Sequence, residues 1–384
     1  MSLAGFTDAT LGTTASVGRY FATVSVLPSV LFVAWLFILG ATGAWTGTPD
    51  VGRVPSVVAG LGLTGALGLI AASLAVALAL HPVQFLLVQM MEGYWGTSRA
   101  ARTARLARSR VHVRTLLRSE QLQFDAAKQR RAHGIDPTSI EDVLSPEGLQ
   151  NTPGRARLVL ETAIALETGS TLRGSYPDKV GEVMPTRLGN ALRRYESRAG
   201  AGYGLSILDH APGLVMVAKP EHVQYLNDQR SSLDLAVRMS AMSVLAAAIT
   251  VVTMVPHGAW LSVALVPYTV AWLCYRGSVT VAVEYGRALV AFTDLNRFRL
   301  YEELRLGVPA TPSEEIAKNK AWGRVRHGVV VGGEVVYDRP PPTSGRMRLH
   351  GVRPVAIRRV AGMGRTERAR DPQSDGPPSP TVGS

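Results

Sequence analysis

Four apolar runs, each long enough to cross a bilayer, constrain this chain more than any other feature. A hydrocarbon core of roughly 30 Å takes about 20 consecutive apolar residues in a helix, and within it the backbone must satisfy its own hydrogen bonds. The runs are Phe21 to Trp45, Val54 to Leu80, about Leu233 to Val255 and about Trp260 to Val283. They predict four membrane-spanning helices in two pairs. The links within the pairs, Thr46 to Arg53 and Pro256 to Gly258, are very short and hold only Arg53 and His257 as basic side chains. Between the second and third runs lie about twenty Lys and Arg, and the tail carries more. Basic residues gather on the cytoplasmic side of a membrane protein. The expected topology is therefore multi-pass in the cell membrane, with both termini and the central segment cytoplasmic.

The remainder of the 384 residues is polar, since mean hydropathy is only +0.12 despite these runs. The net charge of +12 fits the positive-inside bias and an anionic inner leaflet better than nucleic acid, because the arginines directly follow a span. Ala, Gly, Val and Arg richness suggests a high-GC bacterium. The single Cys274 excludes an intrachain disulfide and a Cys-based zinc site.

The expected fold is all-α: a polytopic membrane protein with four transmembrane helices. Helices 2 and 4 extend into the cytoplasm, and a helical insertion lies between helices 2 and 3. Residues 1–20 are the cytoplasmic N-terminus, 21–95 the first two spans, and 96–232 the insertion with an Arg-rich stalk helix. Residues 233–283 are spans three and four, 284–306 a cytoplasmic helix, and 307–384 a basic, largely disordered tail with a short hairpin around Gly332 and Gly333. Span two is read as continuing without a helix stop through Gly96 into the stalk, to about Arg131. On the stalk, Leu106, Val113, Leu117 and Phe124 form a narrow apolar seam flanked by arginines, suited to a coiled coil or an anionic bilayer surface.

Several residues are candidates for specific roles. Gly60, Thr64, Gly68 and Ala72 share one face of span two and would let another helix approach closely, within or between subunits. Tyr94 and Trp95 suit a membrane interface. Arg238 and Arg276 lie near the inner ends of spans three and four, where each can snorkel to the interface or pair with Asp234 or Glu284. The eight histidines show no ligand spacing, and no phosphate-binding loop or nucleophile elbow is present. No catalytic residue, cofactor or metal is assigned.

MPTRLGNALRRYE (Met184 to Glu196), MMEGYWG (Met90 to Gly96) and EYGRALVAFTDLNRFRLYEEL (Glu284 to Leu304) together resemble an uncharacterised bacterial family of four-span integral membrane proteins. The resemblance covers most of Phe21 to Leu304 and implies the same topology, but no activity. Its best candidate for a shared site is Arg187, Asn190, Arg193 and Glu196. These read either as polar groups holding a partner or ligand, or as an internal salt-bridge and capping cluster.

The leading functional expectation is a non-enzymatic membrane-anchored scaffold, sensor or effector whose cytoplasmic part binds a protein or small ligand. The alternatives are an oligomeric channel or transporter, and a lipid-headgroup enzyme. The expected partners are the anionic inner leaflet, a further copy of the chain, and an unknown cytoplasmic protein or small ligand.

Overall fold

The computed structural model describes residues 21–135, 140–328, 335 and 337. The expected hairpin and most of the tail lie outside them. Among the described residues every regular element is helical. Three helical runs are long and apolar enough to cross a membrane: Val24–Ala41, Gly62–Leu80 and Pro220–Glu303. The first holds α1 (Leu27–Ala41), entered through a π-helical turn over Phe21–Val26. The short α2 (Val54–Ala59) precedes the second, α3 (Gly62–Leu80).

The third run is folded back on itself. Gly258, at φ +55° and ψ −112°, turns the chain between α11 (Pro220–Met254) and α12 (Leu265–Glu303). Only glycine adopts that conformation readily. The turn is longer than Pro256 to Gly258, because the chain stays in tight 3-10 winding over Val255–Ala264. The two arms then pack along each other. At 1.5 Å per residue they measure about 52 and 58 Å, well beyond the roughly 30 Å of a hydrocarbon core.

Two cores follow from that length. In the apolar half, α1 lies between α3 and α11. Phe32 and Val33 of α1 pack on Met242 and Ala246 of α11, with Leu69, Val76 and Leu80 of α3 beside them. The Trp35 indole N–H donates to the Thr250 hydroxyl at 2.9 Å and fixes the register of α1 on α11. In the polar half, the arms wall a larger core. Leu226, Leu233 and Val237 of α11 and Tyr285, Leu289 and Phe292 of α12 enclose Val88 of α4 (Gln84–Glu92), Leu188 and Leu192 of α9 (Arg187–Arg198), and Ile207 and Leu214 of α10 (Ile207–Val217).

The run from Val54 to Arg131 is not one helix. It breaks at Gly60–Leu61, turns at His81–Val83 and stops at Gly93, whose φ is +106°. The stalk α5 (Arg99–Ala132) starts afresh, with the Ser98 hydroxyl accepting from the Ala101 N–H. It pairs with α8 (Pro153–Arg173), which follows the short α6 (Ile140–Val143) and α7 (Pro146–Asn151).

The packed face of α5 is not the expected seam. His112, Leu116, Ser119 and Ala126 are buried, whereas Leu106, Leu117 and Phe124 are exposed. Small and polar residues won because they let α8 come close. A Cβ on Gly169 would lie 2.6 Å from the Gln123 side chain and 3.0 Å from the Ser119 carbonyl. The pairing is then fixed by polar contacts: His112 Nδ1 with the Tyr176 hydroxyl (3.0 Å), Arg130 Nε donating to Thr162 (2.9 Å), and Arg173 with Glu120 (3.5 Å).

One helix escaped the sequence reading. Pro312–Arg326 forms α13, started by a reciprocal cap. The Thr311 hydroxyl accepts from the Glu314 N–H, and the Glu314 carboxylate accepts from the Ala310 N–H. Glu315 holds this helix on α12 through Arg297 (3.0 Å) and the Tyr301 hydroxyl (2.9 Å).

Candidate functional site: a buried charge cluster at a three-way joint

The stretches Met90 to Gly96, Met184 to Glu196 and Glu284 to Leu304 meet at one place. Each supplies a glycine where a side chain would not fit. A Cβ on Gly189 would lie 2.0 Å from the Glu92 carbonyl oxygen. One on Gly93 would lie 2.3 Å from the Pro185 ring, and one on Gly286 would lie 2.2 Å from the Tyr195 ring. These contacts bring α9 directly against α4 and α12.

The Pro-Thr-Arg-Leu-Gly-Asn run builds its side of the joint from its own polar groups. Helix α9 begins at Arg187, because the Thr186 hydroxyl caps it by accepting from the Gly189 N–H at 3.0 Å. The same hydroxyl donates to the Glu92 carbonyl at 2.8 Å, tying α9 to α4. Asn190 is 1% exposed. Its Oδ1 accepts from the Met184 N–H (2.7 Å), and its Nδ2 donates to the carbonyls of Met184 (2.9 Å) and Thr186 (2.8 Å). Its hydrogen-bonding capacity is used inside the loop that leads into α9. Arg187 is exposed, and it adds to the positive field that, with burial as the larger cause, holds the His112 imidazole below its ordinary pKa.

Behind this backbone joint lies a cluster of buried charges. From α4 comes Glu92, only 4% exposed. Helix α9 contributes Glu196, whose side chain is 7% exposed and contacts Arg193 at 3.4 Å. Helix α11 contributes Arg230 and Asp234, both buried, with the Arg230 Nε donating to both Asp234 oxygens at 3.1 Å. Tyr285 of α12, also buried, lies beside Arg230. Three buried carboxyl groups therefore gather there, with Arg230 buried among them and the half-buried Arg193 at their edge.

The crowding shows at Glu92. Burial first, and then the Glu196 carboxylate, push its carboxyl up to about 8; Asp234 adds to the rise and Arg230 opposes it. Its place at the C-terminal end of α4, where the helix dipole is negative, disfavours the anion further. A carboxyl near 8 holds its proton at neutral pH. Tyr94, beside the cluster, is pushed up by burial and by Glu196 and Glu92.

One turn further along α11 lies Arg238, which is fully buried. Its side chain stays inside the helix bundle. It donates to the Ser25 hydroxyl at 2.6 Å and to the Ala77 carbonyl at 3.1 Å, joining α11 to the start of the first run and to α3. Polar acceptors nearby offered its guanidinium hydrogen bonds without leaving the bundle. Arg276 is exposed on α12, over the Trp272 ring at 5.5 Å. Tyr94 is 37% exposed, and the Trp95 indole donates to the Met90 carbonyl at 2.8 Å, closing the end of α4.

Gly60, Thr64, Gly68 and Ala72 are all exposed and make no seam within the chain. The packed face of α3 is one residue round, at Ser73 and Ala77 with Leu69, Val76 and Leu80. One residue is about 100° of helix, enough to exchange the inner face for the outer.

The sequence reading missed Glu92, and it noted Asp234 only as a possible partner for Arg238. Two signals were present. Gln84, Val88 and Glu92 recur every fourth residue on a short helix, and all three are buried. Arg230, Asp234 and Arg238 recur every fourth residue on another, and all three are buried as well. Charges so spaced share a face, though the spacing leaves open whether that face is inside. Among the described residues no group of three or more His, Cys, Asp or Glu is placed to hold a metal ion. No family model, curated protein or solved structure matches this chain.

Proposed function

We propose that this is a four-span membrane protein with its polar half in the cytoplasm, and that it works without catalysis as a membrane-anchored sensor or effector. In this reading α1, α3 and the apolar parts of α11 and α12 cross the cell membrane, with both termini inside. The observation that supports it best is the joint. Helices α11 and α12 pass without a break from the apolar half to the polar half. There α12 meets α9 where Gly286 lies under the Tyr195 ring, and α11 brings Arg230 and Asp234 to the buried charge cluster beside α9. A change at the polar half would be carried along rigid helices to the membrane, and the reverse. The exposed Arg-rich α5 and its apolar residues offer the surface for a cytoplasmic protein or small ligand.

The test is crosslinking in cells, purification in mild detergent and mass spectrometry of what accompanies the protein. A specific cytoplasmic partner, lost on Arg187→Ala, is the expected result. A homo-oligomer with no partner would overturn it. The alternative, an oligomeric channel or transporter, draws on the open small-residue face of α3. It predicts ion leak from liposomes that Gly68→Leu alters.

A further inference from the structure

The joint is held by something that can leave. Five ionisable side chains from three helices meet there: Glu92 on α4, Arg193 and Glu196 on α9, and Arg230 and Asp234 on α11. The phenols of Tyr94 and, on α12, Tyr285 border them. If every carboxyl were ionised, Glu92 would be a carboxylate shut away from water and set beside those of Glu196 and Asp234, which is costly, so the interior favours its protonated form. The Glu92 backbone is pinned to α9 by Thr186 and by the tight Gly189 contact, and Glu92 is only 4% exposed, so lifting α9 opens the packing around it to water.

We infer that Glu92 is a proton-binding site that latches α9 to α4 and the long arms: the joint is closed with the proton bound and loosens when it leaves. The ligand is the proton itself, exchanged with the aqueous phase. No other group has to be supplied or consumed. This goes beyond the sensor reading by naming what the joint senses, and it is tested without any partner, so the two can fail separately.

The sign follows from linkage. With α9 lifted, Glu92 returns toward its ordinary value of 4.5; docked, it titrates near 8. Between these values the closed joint holds one proton more than the open one. Closure is therefore strongest below about pH 4.5, weakens about tenfold per pH unit up to about pH 8, and levels off above.

The experiment uses the full chain in lipid nanodiscs. Infrared titration should show a protonated-carboxyl C=O band at neutral pH that is lost with a midpoint near 8, and Glu92→Gln should lack it. Hydrogen exchange, normalised to unstructured peptide at each pH, should show protection of the α9 amides falling about tenfold per unit from about pH 6 to 8. It should stay flat in Glu92→Gln, where a neutral amide replaces the protonated acid. Glu196→Gln should move the bend to lower pH, because Glu196 raises Glu92. An absent band, a band that persists in Glu92→Gln, or equal pH dependence in wild type and Glu92→Gln would overturn the inference.

Discussion

At Asn190 a single amide does the work of a short stretch of secondary structure. It satisfies one N–H and two carbonyls of the Met184–Thr186 loop, so a helix can begin against the end of another without orphaned polar groups. Asn190→Asp keeps an acceptor for the Met184 N–H but turns an anionic oxygen toward two carbonyls. We expect it to cost about 2–4 kcal/mol, read as a lower thermal midpoint in nanodiscs. Gly93→Ala should be comparably harmful, because positive φ and the contact with Pro185 oppose any side chain. Arg187→Ala, at an exposed position close by, should stay within about 0.5 kcal/mol.

At the scale of the element, α5 is the instructive case. Its apolar residues recur with helical spacing, yet Leu106, Leu117 and Phe124 face outward while Ser119 and Gln123 face α8. Close approach at Gly169 set that choice, since small and hydroxyl-bearing residues permit a short interhelical distance that branched ones do not. Leu116→Ala should therefore cost about 2–4 kcal/mol and speed hydrogen exchange in α8. Phe124→Ala, on the open side, should change it little. At α13, Thr311→Ala should cost about 1 kcal/mol and fray the first turn, because the cap there is local.

For the whole molecule, the two long arms decide everything else. Their length forces a second core beyond the apolar zone, and the joint puts the insertion on that core. The proposed topology makes a direct prediction. In a Cys274→Ser background, a membrane-impermeant thiol reagent should label Ser262→Cys from outside intact cells, and should label Ser313→Cys only after the cells are opened. The reverse pattern would overturn the orientation.

The sequence by itself determined the apolar runs, the glycine turn between the last two, the continuation of α12 to Glu303 and the helical character of the insertion. Each rests on composition, spacing or capping within about twenty residues, which are local properties of a chain. The Thr311 cap was equally local and could have been read. Tertiary structure alone decided which face of α3 and α5 is inside, because one residue of rotation exchanges the faces and only a neighbouring helix selects between them. It alone brought Glu92 to Glu196 and Asp234, which are far apart along the chain. A buried charge is recognisable only once the groups that exclude water from it are in place.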